Sequence, residues 1–158
     1  MTVFHELFQS CGRLDGVVDI VGASISRSLL DVDDDLINQT FELNLFQAIQ
    51  VTRTAADIMA RSGGGTIVLI GSAAGFASLP NQIVYGSAKA ALHHFVRCAA
   101  SELGHVGVRV NAVAPGYVRT ERMVARFNDG SWNEITSNTP LQRLASATFA
   151  SSCALASM

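Results

Sequence analysis

Tyr85 and Lys89 stand four residues apart in Tyr85-Gly86-Ser87-Ala88-Lys89, a spacing that puts both on one face of a helix, one turn above the other. A phenol and an ammonium so placed can give and take a proton. A free phenol titrates near pH ~10, and a neighbouring cation favours its anionic form. Bringing a phenol into use near neutrality takes about 4 kcal/mol of differential interaction, and one close cation in a partly desolvated cleft supplies much of that. Ser72 lies thirteen residues before Tyr85, where the run Thr66-Ile67-Val68-Leu69-Ile70 delivers Gly71-Ser72. The carboxyl end of a parallel strand is where open α/β sheets hold their ligands.

The rest of the chain reads as the frame for those side chains. Val3, Phe4, Leu7, Phe8 and Cys11 recur at helical spacing before Gly12, which predicts an opening amphipathic helix. Gly16-Val17-Val18-Asp19-Ile20-Val21-Gly22 is a β-branched run bounded by glycines and reads as a buried parallel strand. Leu29 to Asp35 reads as a polar loop in which Asp33, Asp34 or Asp35 caps a short helix. A longer helix carries Phe41, Leu45, Ala48, Thr52, Ala55 and Met59 on one stripe and stops before Gly63-Gly64-Gly65. The second strand is followed by a helix from Tyr85 to Leu103, apolar along Ala88, Leu92, Phe95, Ala99 and Leu103. A third strand runs from Val108 to Ala114 and must leave the sheet at Pro115-Gly116, because proline cannot donate to the ladder. Residues 120–140 are polar and mixed, a segment of the length and kind of a lid. The tail from Leu141 to Met158 has a weak helical pattern with no strand after it. Strand, helix, strand, helix, strand predicts an α/β fold with a parallel sheet, strands falling at about 16–21, 66–71 and 108–114.

The 158 residues, 49% hydrophobic, suffice for one domain with a core. A net charge of -2 gives no basic field for nucleic acid or an anionic membrane surface. No apolar run reaches the length of a membrane span, and the first residues lack the layout of a signal peptide. Cys11, Cys98 and Cys153 are odd in number and widely spaced, which argues against a disulfide framework or a zinc cluster and for reduced thiols in a cytoplasmic protein.

Other readings of the same residues are weaker. A nucleophile elbow needs Gly-x-Ser-x-Gly, and Gly71 directly precedes Ser72. Gly71-Ser72-Ala73-Ala74-Gly75 lacks the Gly-Lys and Ser/Thr of a phosphate loop and reads as a substrate-side loop. Asp31, Asp33, Asp35 and Glu42 mimic the spacing of a calcium loop, but Leu36 stands where that loop requires glycine. Helix capping is the better reading, and no metal is expected. His93 and His94 are adjacent and point different ways on a helix, so a solvated or subunit-facing role is expected for both. Arg122 and Arg126 read as a solvated face rather than an anion site.

Ser72, Tyr85-x-x-x-Lys89, Asn111-Ala112-Val113-Ala114-Pro115-Gly116 and Asn44 within Glu42-Leu43-Asn44-Leu45 occur in that setting together. In these elements the chain resembles the short-chain dehydrogenase/reductases, in particular members related to the 3-oxoacyl carrier-protein reductases, from about Cys11 to about Arg143. The resemblance implies a Rossmann-like, doubly wound parallel sheet flanked by helices, and hydride transfer between NAD or NADP and a small carbonyl or alcohol substrate. It implies Tyr85 as general acid and base, Lys89 as the cation that favours the phenolate and holds the nicotinamide ribose, and Ser72 as a donor to the substrate oxygen. Asn44 would support a water linking Lys89 to solvent. Pro115, Gly116, Val118 and Thr120 match the stretch that lines the nicotinamide, with Thr120 near its carboxamide. Of the family's Asn-Asn-Ala-Gly this chain reads Asp19-Ile20-Val21-Gly22 and keeps Gly22 as a cofactor contact. The resemblance also implies self-association through helices 41–59 and 85–103.

The family's opening βαβαβ portion, with its glycine-rich turn, has no counterpart in residues 1–158, nor does the strand that closes the sheet. The expectation is therefore a single partial domain, the second half of a nucleotide-binding unit, with the strand near 16–21 left as a sheet edge. Two functions follow: an oxidoreductase built on Ser72, Tyr85 and Lys89, or a non-catalytic remnant that only associates with related subunits.

Overall fold

The computed structural model describes residue 6 and residues 9–125 and 128–146. Most of the opening helix, Arg126, the side chain of Arg122 and the tail beyond Ser146, including Cys153, lie outside the described residues. Three strands form a parallel sheet in the order β1 (Gly16–Asp19), β2 (Gly65–Ile70), β3 (Val108–Val113). The connections are helical. α1 (Asp34–Phe41) leads through a π-helical turn at Glu42–Phe46 into α2 (Gln47–Arg61), and α3 (Ile83–Leu103) joins β2 to β3. Asp33 caps α1, its Oδ1 accepting the Leu36 N–H at 2.8 Å, as an acidic residue at a helix start should.

Register explains which side chains form the core. Val17, Ile67 and Val110 are cross-strand neighbours and, with Leu69 and Val108, pack against Ala48, Ala55, Ala56 and Met59 of α2 and Leu92, Val96 and Ala99 of α3. Both long helices therefore cover the same sheet face. The opposite face carries Val18, Val68 and Asn111 in register, because alternate residues of a strand point to opposite sides. β2 is buried at Thr66, Ile67, Val68 and Leu69, as expected of a central parallel strand.

Several boundaries differ from the sequence expectation. The first strand ends at Asp19, not near residue 21. Its carboxylate accepts the Val21 N–H at 3.0 Å, a local side-chain turn that competes with the ladder and leaves Ile20 and Val21 exposed. Leu29–Asp31 is a 3-10 turn rather than irregular loop, and α1 and α2 form one helical run instead of two separate helices. Thr120 to Pro140 contains two short helices, α4 (Glu121–Val124) and α5 (Asp129–Ser137). Leu141 to Ser146 is not helical. β5 (Ala145–Ser146) pairs in parallel with β4 (Val118–Arg119), a two-residue contact too short for any periodicity to announce. Among the described residues β1 is an outer strand of the three-stranded sheet, and no helix is long and apolar enough to cross a membrane.

Leu69 is fully buried and Leu30 is 94% exposed. Leu69→Ala should destabilise the chain by about 2–5 kcal/mol through lost contacts and a residual cavity. Leu30→Ala should change stability by less than about 0.5 kcal/mol. Urea denaturation of the two variants checks the difference.

Candidate active site

Lys89 is 3% exposed, yet no carboxylate pairs with it within salt-bridge distance among the described residues. Its Nζ instead donates to the Ile70 carbonyl at 2.8 Å, at the carboxyl end of β2, where the chain leaves the sheet. The same Nζ lies 5.9 Å from the centre of the Tyr85 ring, so α3 sets the two side chains on the shared face that their spacing predicts. Burial pushes the Lys89 ammonium down from its ordinary 10.5 to about 8, the Asp19 carboxylate acting in the opposite direction. An ammonium of that kind still carries its proton in most molecules at neutral pH, and gives it up more readily than an exposed lysine.

Asn44 stands beside it, 1% exposed. Its Nδ2 donates to the carbonyls of Thr40 at 2.9 Å and Ala23 at 3.0 Å, and its Oδ1 accepts the Ala23 N–H at 3.2 Å. The Thr40 carbonyl is the acceptor that the Asn44 backbone N–H would take in an α-helix. The side chain occupies it, and the helical run widens into the π-turn at this point. Through Ala23 the amide also ties the chain leaving β1 to the helical layer. Gly22 belongs to this junction: a Cβ there would sit 2.9 Å from Asn44 Oδ1 and 3.2 Å from Lys89 Nζ, closer than packing allows. The glycine thus brings bare backbone against the lysine.

Ser72 follows β2 in extended conformation, and its Oγ accepts the Ala74 N–H at 3.2 Å. That bond uses a lone pair of the hydroxyl and leaves its proton available to donate. The loops after β2 and β3 are joined through backbone bonds, Gly71 N–H to the Val113 carbonyl at 2.8 Å and Ala73 N–H to the Pro115 carbonyl at 2.9 Å. Pro115 and Gly116 are thereby held next to Ser72. Val118 lies in β4, and Thr120 caps α4, its Oγ1 accepting the Met123 N–H at 3.3 Å. Gly22, Asn44, Ser72, Tyr85, Lys89 and Pro115 thus gather at the carboxyl ends of the three strands, with Gly116, Val118 and Thr120 continuing from the third.

Spacing alone leaves two members of this group unread. Asp19 is buried, accepting Gln47 Nε2 at 2.8 Å as well as the Val21 N–H, and its charge acts on Lys89. The available signal is an acid closing a β-branched run at a strand's carboxyl end. His93 is the second. It is 5% exposed, stacks on Phe76 with ring centres 4.2 Å apart, and its Nε2 accepts the Ser72 N–H at 3.3 Å, so the expectation of a solvated or subunit-facing histidine fails for His93. Its signal is position: Tyr85, Lys89 and His93 are successive steps of four on one helix. His94 does face solvent, against Cys98 Sγ at 3.4 Å.

Lys89 sets a pH signature. Its folded value lies below its ordinary one, so the fold disfavours the charged form, and that penalty is fully present below pH ~8 and relieved between about 8 and 10.5. Stability of the native chain relative to Lys89→Met should therefore rise across that window, by a total on the order of 3 kcal/mol. Denaturation of both proteins at pH 7 and pH 10.5 checks it; a constant difference would remove the burial effect.

The model of the short chain dehydrogenase family matches residues 1–131. Carbonyl reductase family member 4 of Xenopus laevis is 33% identical over 132 residues, covering 84% of this chain and 56% of the relative. Acetoacetyl-CoA reductase of Allochromatium vinosum is 32% identical over 141 residues, covering 89% and 57%. Among solved structures, ElxO with NADP bound superposes with a TM-score of 0.90 at 28% identity, over 99% of this chain and 65% of that one. A 7α-hydroxysteroid dehydrogenase complexed with NADH and 7-oxo glycochenodeoxycholic acid gives 0.91 at 27%, over 99% and 61%. The chain spans a little over half the length of these two curated relatives. With one family model running through β1, β2, β3 and the helices that join them, the chain belongs to the short-chain dehydrogenases.

Proposed function

We propose that the chain carries the proton-handling half of an oxidoreductase that moves hydride between NAD(P)(H) and a carbonyl or alcohol, with Tyr85 as acid and base. The observation that supports this most strongly is Lys89: a buried ammonium one turn beyond Tyr85, held on the Ile70 carbonyl at 2.8 Å. A lysine kept out of water without a carboxylate partner is costly as structure and useful as a tuned cation next to a phenol.

The residues present fit the nicotinamide end of a dinucleotide. Lys89 Nζ spends one of its three donors on Ile70, which leaves donors for ribose hydroxyls, and the bare backbone at Gly22 gives close access. Pro115, Gly116, Val118 and Thr120 form the wall continuing from β3. A pyrophosphate cradle, a glycine turn opening a helix N-terminus, is not found among the described residues. When bound, the nicotinamide supplies the hydride chemistry. On this chain Ser72 Oγ donates to the substrate oxygen, Tyr85 gives that oxygen its proton or removes it, and Lys89 sets its charge beside the Tyr85 ring. Asn44 holds the π-turn and the Ala23 loop around the ammonium, and supports the path by which a water returns a proton to Lys89. The 120–140 helices, following Thr120, serve as the lid over the substrate side.

Self-association through α2 and α3 belongs to the same reading. A groove of about 550 Å³ runs between them, lined by Ile49, Ala56, Phe95, Ala99 and Leu103 among others, apolar ground that a second copy of these helices suits. A second function, a non-catalytic chain that pairs with related subunits, is favoured by β1 being an outer strand of the sheet among the described residues.

The purified chain should consume reduced nicotinamide dinucleotide only when a carbonyl substrate such as an acetoacetyl thioester is present. Tyr85→Phe should lower kcat by about 10²–10⁴-fold with cofactor affinity in calorimetry changed less than about threefold. Turnover undiminished in Tyr85→Phe would remove Tyr85 from the chemistry, and no cofactor binding together with stable association would favour the non-catalytic reading. Sedimentation should show a dimer or larger, and a stable monomer would count against the α2–α3 interface.

A further inference from the structure

Three consecutive backbone N–H groups follow β2, and the sheet satisfies only the outer two. Gly71 donates to the Val113 carbonyl and Ala73 to the Pro115 carbonyl. Between them the Ser72 N–H is directed away from β3 and finds its acceptor on α3. The acceptor that meets it there is a side chain, His93 Nε2, at 3.3 Å. The contact is built on every side. A Cβ on Gly71 would lie 2.2 Å from His93 Nε2, and one on Gly75 would lie 2.8 Å from both Nδ1 and Cε1, so the loop wraps the imidazole edge with the only residue type that leaves room. Phe76 closes one ring face, its centroid 4.2 Å from that of His93 and the planes 17° apart.

We propose that His93 is a positioning residue for Ser72. Its neutral imidazole fixes the Ser72 backbone and so aims the hydroxyl that, on the function proposed above, donates to the substrate oxygen. An acceptor role at Nε2 places the ring proton on Nδ1, which is buried over Gly75 and has no hydrogen-bond partner among the described residues. Burial, and then the charges of Lys89 and Arg97, hold the imidazole below its ordinary value, which keeps Nε2 free to accept. The Ser72 hydroxyl is set by the same bond at one remove: its Oγ caps the turn at Ala74, and both depend on where the Ser72 backbone stands.

The test is amide hydrogen exchange on the full chain by NMR, with His93→Leu and His93→Gln as the variants. Leucine fills much of the ring's volume without an acceptor, and the glutamine Oε1 reaches the region of Nε2. Exchange at Ser72 should quicken by about tenfold or more in His93→Leu, with Gly71 and Ala73 changed less than about threefold, and His93→Gln should restore most of the protection. A long-range ¹⁵N spectrum of the unmutated chain should show the Nδ1–H tautomer. In a turnover assay His93→Leu should lower kcat more than it raises KM, with partial rescue by His93→Gln. Ser72 exchange unchanged in a folded His93→Leu, equal exchange in the two variants, or the Nε2–H tautomer would overturn the proposal. Should His93→Leu not fold, the tautomer and the glutamine variant still decide it. Exchange that follows the prediction in a chain without turnover would sustain the His93–Ser72 contact and count against the proposed reaction alone.

Discussion

One bond, from a buried ammonium to the last carbonyl of the central strand, organises this molecule. Lys89 Nζ on Ile70 O fixes where α3 sits along β2, and hence where Tyr85 stands relative to Ser72. Taking a lysine out of water requires that its donors find acceptors, and the end of β2 supplies one. The desolvation that this arrangement imposes is also what lowers the ammonium's affinity for its proton, so the same contact bears on both the packing of α3 and the charge of Lys89.

Around that bond the chain approaches itself with bare backbone. Gly22 brings the β1 loop against Lys89 and Asn44, and Gly71 and Gly75 bring the β2 loop against His93. Each contact joins a loop at the carboxyl end of a strand to a polar side chain on a helix. Asn44 works in the same way, its two amide donors held on the Thr40 and Ala23 carbonyls and its Oδ1 accepting the Ala23 N–H. Polar side chains rather than apolar packing thus fix the loops of the site, and this suits groups that must be held in register without being buried from a ligand.

The apolar core follows a different logic. Val17, Ile67 and Val110 form one cross-strand row beneath α2 and α3, and the face behind them carries Asn111 and Arg109, both exposed. A doubly wound sheet covers both faces with helices. The described residues supply the long helices of one face, in keeping with a chain that spans a little over half the length of its curated relatives.

The element order, the helix stripes and the Tyr85–Lys89 pairing were legible in the sequence, because periodicity and a spacing of four are local properties that survive without knowledge of the fold. That one of Asp33, Asp34 and Asp35 caps α1 and that the third strand leaves the sheet near Pro115 were legible for the same reason, though only the structure singles out Asp33. The end of β1 at Asp19 was not, since it depends on whether a carboxylate turns back to its own backbone or continues a ladder. Nor was β5, whose two residues acquire a partner only through β4. The role of His93 was hidden most deeply: beside His94 it reads as one of a solvated pair, and only packing decides that one of the two turns inward to meet the Ser72 N–H. The sequence by itself determined which residues could act, through type and spacing along single elements. Tertiary structure alone decided what holds them, because an acceptor for Ser72, Lys89 or Asn44 comes from a segment far away in the chain, and no local pattern records which distant carbonyl or ring nitrogen will stand within 3 Å or so of a donor.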